Sequence, residues 1–122
     1  MKKDIPEIFE SEYRFMEILW DLEPVASGRL VEVCNERFEW KKSTTYTVIR
    51  RLTDRGIITS KKAIVTSLVS REDVQIKMSH DVVERSFAGS LPGFIAAFAK
   101  GRKLSAEEIS EIRNMIDEYE RS

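Results

Sequence analysis

The chain has 122 residues, enough for one or two small domains that hold a core without disulfides, and its single Cys34 excludes an intramolecular disulfide framework. At 42% hydrophobic and 34% charged residues it reads as soluble, globular and charge-rich, and no run of 18 apolar residues offers a transmembrane helix. The net charge of −1 conceals one positive segment: residues 40–62 carry Lys41, Lys42, Arg50, Arg51, Arg55, Lys61 and Lys62 against Asp54 alone, net +6, while residues 1–39 sum to −5 and residues 104–122 to −4. Such a concentration marks a candidate anion-facing surface.

The opening stretch "MKKDIPEIFE" has no apolar run after its lysines, so it is not expected to be a signal peptide, and a reducing, cytoplasmic setting is expected. "FESEYRFMEILWDLEP" predicts a first helix. Phe9, Tyr13, Met16, Leu19 and Trp20 make its apolar stripe, Ser11 or Glu10 caps it, and Pro24 follows its end. "SGRLVEVCNERF" predicts a second helix with Ser27 as N-cap and Leu30, Val33, Cys34 and Arg37/Phe38 on the inward stripe. Cys34 reads there as a small buried hydrophobe.

"KKSTTYTVIRRLTDRG" predicts the third helix. Thr45, Val48, Ile49 and Leu52 point one way; Ser43, Thr44, Tyr46, Thr47, Arg50 and Arg51 cover the rest. Gly56 stands where a left-handed cap belongs. Three short helices, the third with a polar and basic face, are in helix-turn-helix order. The period then changes: "IITS" and "AIVTSLV" are rich in β-branched residues and "KKA" separates them, which predicts a hairpin with Lys61 and Lys62 at its tip. A hairpin directly after the third helix makes a winged helix.

Beyond residue 70 the chain reads as helical. Ser70 caps a segment whose stripe runs through Val74, Met78, Val82 and Phe87; Gly89, Pro92 and Gly93 interrupt it; Phe94, Ile95 and Phe98 resume it as far as Gly101. The last helix has Ser105 and Glu108 as a capping box and Ile109, Ile112, Met115, Ile116 and Tyr119 on one acid-flanked stripe. About 50 residues cannot bury Phe87, Leu91, Phe94, Ile95, Phe98 and the last-helix stripe alone, so a symmetric dimer is the simplest expectation. The expected organisation is therefore mainly α with a small β-hairpin wing: a winged helix-turn-helix DNA-binding domain over 1–70 and a helical dimerisation domain over 71–122.

Catalytic chemistry finds little support. The one histidine, His80, has no patterned partner, no His/Cys cluster has metal-ligand spacing, and no Gly-rich phosphate loop occurs. No catalytic residue, cofactor or metal is assigned, and an enzyme is not expected.

Taken as blocks, "EYRFMEILW", "WKKSTTYTVIRRLTDRGIIT", "SLVSRED", "SFAGSLPGFIAAF" and "LSAEEISEIRNMIDE" resemble, in order and spacing, the BlaI/MecI/CopY family of bacterial transcriptional repressors, also called penicillinase repressors. Glu12, Met16 and Trp20 fit its first-helix pattern. Trp40, Thr44, Val48, Leu52 and Gly56 fit its recognition helix, and Gly89, Ser90 and Phe98 its dimerisation segment. The resemblance implies a homodimer that occupies an inverted-repeat operator through the major groove and blocks transcription; the signal that releases it is not named by the sequence, a sensor protease or another inducer being the candidate partners. It places Ser43, Thr44 and Thr47 against base edges, and Lys41, Lys42, Tyr46, Arg50 and Arg51 against phosphates or groove walls. Lys61 and Lys62 stand in for the wing contacts.

This chain also departs from the family. Its wing is shorter and lacks the usual Gly-Arg; Lys41 replaces a capping Ser or Thr; Leu30 replaces an acidic residue; Pro92 replaces a helix former. The bond matching the Asn-Phe cleavage site of the β-lactam branch is Ala97–Phe98, where the phenylalanine is kept and the asparagine is not; the alternative role for Phe98 is core packing. The C-terminal cysteine cluster of the copper-responsive branch is missing from this sequence. The competing reading of the whole chain is a winged-helix module that contacts another protein and binds DNA weakly or non-specifically.

Overall fold

In a computed structural model, which describes residues 5–122, the elements follow in the order α1 (Glu10–Leu22), β1 (Val25–Ala26), α2 (Ser27–Phe38), α3 (Lys42–Asp54), β2 (Ile58–Lys61), β3 (Ile64–Ser67), α4 (Arg71–Ser86), α5 (Leu91–Gly101) and α6 (Ala106–Arg121). Two compact units are present, one ending at Met78 and the other Ser79–Ser122. The expected boundary at 70/71 lies at the root of α4, which begins in the first unit and ends in the second.

The first unit is a winged helix. Its core joins Phe15, Met16, Ile18 and Leu19 of α1, Leu30, Val33 and Cys34 of α2, Val48, Ile49 and Leu52 of α3, and Ile57, Ile58, Val65, Val69 and Val74 further on. The hairpin is one part of a three-stranded antiparallel sheet ordered β1-β3-β2. The two-residue β1, unforeseen in the sequence, pairs Val25 with Val65 and Ala26 with Ile64. Two residues are too few to show an alternating pattern, so only the partner strand defines them.

Three helix starts differ from expectation. Phe9, expected in the first helix's core stripe, is 58% exposed and is the N-cap of α1. Neither Ser11 nor Glu10 caps; the Glu12 carboxylate does so, accepting from the Phe9 N–H at 3.1 Å. Phe15 and Ile18 take the core places instead. Ser27 is the first residue of α2 rather than its cap: β1 runs straight into the helix, and the Ser27 N–H donates to the Ala63 carbonyl of the hairpin turn at 2.8 Å. Arg37, expected on the inward stripe, is exposed, while Phe38 is partly buried. Pro92 and Gly93, expected as interruptions, lie in the first turn of α5, capped by the Ser90 hydroxyl accepting from the Gly93 N–H at 3.0 Å. Proline is tolerated there because first-turn N–H groups have no intrahelical partner.

The remaining ends follow the expected chemistry. Gly56 has φ +74°; its N–H donates to the Thr53 carbonyl and the Ile57 N–H to the Leu52 carbonyl, the two bonds of a Schellman motif. Ser70 accepts from the Asp73 N–H, and Ser105 and Glu108 form the reciprocal capping box of α6. The wing turn is Lys62–Ala63, both at positive φ as a type I′ turn requires. Lys61, expected at the tip, is the last residue of β2, paired with Ile64.

Candidate nucleic-acid interface

The third helix is aimed by a short turn. α2 ends on Glu39 in the left-handed conformation, φ 57°, and the Asn35 side chain donates to the Trp40 carbonyl at 3.1 Å. Phe38 and Trp40 pack with ring centroids 5.2 Å apart. These contacts close the turn that carries the chain from α2 into α3. Lys41 is the N-cap of α3 and makes no side-chain cap bond. Its carbonyl accepts from Thr44 and Thr45, but nothing polar from its side chain satisfies the first-turn N–H groups.

At about 100° per residue the helix separates cleanly into faces. Thr45, Val48, Ile49 and Leu52 are buried. Ser43, Thr47, Arg50 and Asp54 fall on the opposite side. Thr44 and Arg51 flank it on one edge, Lys42 and Tyr46 on the other. Lys41, Lys42, Ser43, Thr44, Tyr46, Arg50 and Arg51 are all exposed and Thr47 is partly so. The Lys42 ammonium lies 5.9 Å from the Tyr46 ring centre. Among the described residues neither Arg50 nor Arg51 has a carboxylate within ion-pair distance. The Thr47 hydroxyl donates to the Ser43 carbonyl at 2.9 Å. Its proton is therefore committed, and Thr47 can offer a ligand only oxygen lone pairs and its methyl group.

Arg55 does not join this surface, although its charge was counted in the positive segment. Its guanidinium holds the Glu12 carboxylate with two hydrogen bonds, 2.8 and 2.9 Å, and also donates to the Glu7 carbonyl. Glu12 is 4% exposed. Burial alone would raise its carboxyl. The Arg55 hydrogen bonds, the Phe9 N–H and the nearby Arg51 charge outweigh burial and hold it below its ordinary 4.5. This bidentate pair ties the end of α3 to the start of α1. Sequence reading missed it, yet the signal was present: Glu12 lies one turn before Met16, a carboxylate on the core-facing stripe.

The wing brings Lys61 at the end of β2 and Lys62 in the turn, both exposed. Thr59 and Thr66 hydroxyls pair across the strands at 2.8 Å. Among the described residues no group of three His, Cys, Asp or Glu could hold a metal ion, and no helix is long and apolar enough to cross a membrane. Cys34 is fully buried, and burial pushes its thiol up.

In the second unit the expected dimerisation residues stand on open apolar faces. Phe87 and Phe94 meet edge-to-face at 5.4 Å and are partly buried. Leu91, Ile95 and Phe98 of α5 are exposed, as are Ile109, Ile112, Met115, Ile116 and Tyr119 of α6. In the single chain α6 buries no residue at all. Arg102 stacks over the Phe98 ring at 4.9 Å and pairs with Glu108 at 2.7 Å, linking α5 to the start of α6. The Ala97–Phe98 bond lies inside α5, where the Phe98 carbonyl accepts from the Arg102 N–H at 3.0 Å.

Residues 8–118 match the family described as "Penicillinase repressor". The chain is 29% identical over 115 residues to the methicillin resistance regulatory protein MecI of Staphylococcus aureus, covering 91% of this chain and 94% of that protein. It is 24% identical over 121 residues to the penicillinase repressor of Bacillus licheniformis, covering 96% and 94%. Against the penicillinase repressor of Staphylococcus aureus it is 25% identical over 116 residues, covering 92% of each.

Proposed function

The chain belongs to the penicillinase repressor family, a family of transcriptional repressors rather than enzymes, and we propose that it represses by binding an inverted-repeat operator as a dimer, with α3 of each protomer in the major groove. The observation that carries this is the outer face of α3. It combines exposed hydroxyls near the helix start with Arg50 and Arg51, both exposed and, among the described residues, neither within ion-pair distance of a carboxylate. Hydroxyls at a helix start can reach base edges and the thymine methyl; arginines and lysines supply sequence-independent attraction to phosphate. Ser43 and Thr44 read as donors or acceptors to bases, and Thr47 as an acceptor or methyl contact. Lys41, Lys42, Tyr46, Arg50 and Arg51 serve phosphates and groove walls. Lys62 reaches the backbone from the wing turn, with Lys61 behind it.

The dimer reading is supported by α6. A 16-residue helix whose five large apolar residues are all exposed stays folded best against a second copy. Cutting at Ala97–Phe98 needs a stretch of α5 to unwind first, because a bond inside a hydrogen-bonded helix is not extended for a protease.

The test is selection of bound sites from a random duplex pool at moderate salt. An inverted repeat with half-sites about one helical turn apart is expected. Thr44→Ala with Thr47→Ala should then cost about 1–3 kcal/mol of discrimination per lost base contact, whereas Arg51→Ala should weaken all duplexes alike and flatten the salt slope. No enriched site, with binding instead to a protein partner through α3, would overturn the reading.

A further inference from the structure

Arg51, in the last turn of α3, and Arg55, its C-cap, are four residues apart and stand one above the other on the same side of the helix. The Arg55 backbone N–H donates to the Arg51 carbonyl at 3.2 Å. Their side chains have different fates. The Arg55 guanidinium is committed three times over: to the Glu12 carboxylate by two hydrogen bonds, to the Glu7 carbonyl, and over the Phe9 ring, 5.5 Å from its centre. Arg51 is exposed. The Glu12 side chain that Arg55 holds is only 5% exposed, so water offers it almost nothing in exchange. The Arg51 charge also reaches this carboxylate, behind that of Arg55.

A buried carboxylate stripped of its cation is costly, and the cheapest remedy is a second cation drawn in from nearby. Arg51 is one helical turn away, on a side chain long enough to snorkel in either direction. Asp54, exposed on the same helix, is hydrated and pulls much more weakly on its neighbours. We propose that Arg55 is a positioning residue for DNA binding: by occupying Glu12 it keeps the Arg51 guanidinium out of the winged-helix interior and leaves its charge to a phosphate. The proposal rests on the reading of Arg51 as a phosphate contact given above. It assigns the Glu12–Arg55 pair a role that stability alone does not. Of two arginines one turn apart, one is held inside so that the other stays free outside.

The experiment measures the affinity of the full chain for the selected duplex from about 50 to about 200 mM salt and reads the slope of log K against log salt. One phosphate contact contributes about 0.9 to that slope. Arg51→Ala should lose about that much per protomer, so that the rise in salt weakens the variant about threefold less. Arg55→Met should lose the same amount, although Arg55 itself faces inward. Arg51→Ala with Arg55→Met should lose no more than Arg51→Ala alone. Glu12→Gln with Arg55→Met leaves no carboxylate to draw Arg51 in and should return the slope to the wild-type value. A purely structural effect of Arg55 lowers affinity by one factor at every salt concentration and does not move the slope. Arg55→Gln keeps a donor for Glu12 but no charge; it should show the same loss and carries the test if the methionine variant does not fold. A wild-type slope in the folded Arg55 variants overturns the proposal, as does a loss that Glu12→Gln fails to restore. If Arg51→Ala itself leaves the slope unchanged, the reading of Arg51 as a phosphate contact falls, and the proposal falls with it.

Discussion

Two buried polar residues show how much a single position can matter. Glu12 and Arg55 form a pair that is almost dry on the carboxylate side and one-third open on the other, 5% and 30% exposed. Because folding lowers the Glu12 carboxyl, its contribution is present above the unfolded value near 4.5 and is lost as pH falls through the lower folded value. The winged helix should therefore lose stability on acidification below about pH 4.5. Glu12→Gln should cost about 2 kcal/mol at neutral pH, since hydrogen bonds to charged groups are worth roughly that, and should flatten the acid limb. Urea midpoints from pH 7 down to pH 3 test both; an unaltered acid limb in the variant would mean that another carboxylate governs it. Thr45 is the opposite case. Its hydroxyl is fully buried and, among the described residues, has no hydrogen-bond partner of acceptable geometry. Its neighbour is the Cys34 thiol, a weak partner at best. Thr45→Val keeps the shape and removes the unsatisfied oxygen, so the urea midpoint should stay level or rise, by up to about 1–2 kcal/mol. A clear fall would show that the thiol does satisfy the hydroxyl.

At the scale of elements, the wing carries two adjacent side-chain-bearing residues at positive φ. Its turn places Lys62 and Ala63 at φ 52° and 64°, a region that costs a residue with a Cβ about 1 kcal/mol or more. The sequence announced a hairpin through its β-branched runs, but "KKA" has none of the Asn-Gly or Gly-Gly pairs that favour this turn. Ala63→Gly should relieve the strain and raise stability by roughly 0.5–1 kcal/mol. Thermal unfolding of the variant checks this, and a lower midpoint would show that the extra freedom of the unfolded chain outweighs the strain. The helix ends taught a similar lesson. Ser70, Gly56 and the Ser105–Glu108 box were legible because cap chemistry is local. Ser27 does not cap α2, because β1 occupies the place where a cap would sit. Phe9 stands outside the core because a stripe drawn by period alone extends past the point where the backbone leaves the helix.

For the molecule as a whole, the second unit raises the question of what covers its apolar faces. Leu91, Ile95 and Phe98 on α5 and Ile109, Ile112, Met115, Ile116 and Tyr119 on α6 stand exposed in rows, the arrangement that marks an interaction surface. A chain truncated after Gly101 loses the α6 stripe and should sediment as a monomer. It should also lose preference for an inverted repeat over a single half-site. A truncated chain that sediments as an intact dimer would place the dimer contact outside α6.

The amino-acid sequence by itself determined the class of the fold and the family. Periodicity, cap residues and the charge concentration over 40–62 are local, and the block order survives without any tertiary knowledge. It also determined which side of α3 is polar, since helical spacing alone separates Thr45, Val48, Ile49 and Leu52 from the rest. Only the tertiary structure decided which charges remain free. Arg55 and Arg50 look alike in the sequence, but Glu12, 43 residues away, captures one of them. It likewise decided that Val25 and Ala26 form a strand, and that Arg71 meets Trp20 and Asp21 at the root of α4. The physical reason is common to all three: a pairing between distant segments is defined by where the core brings them together, and no local pattern carries that information.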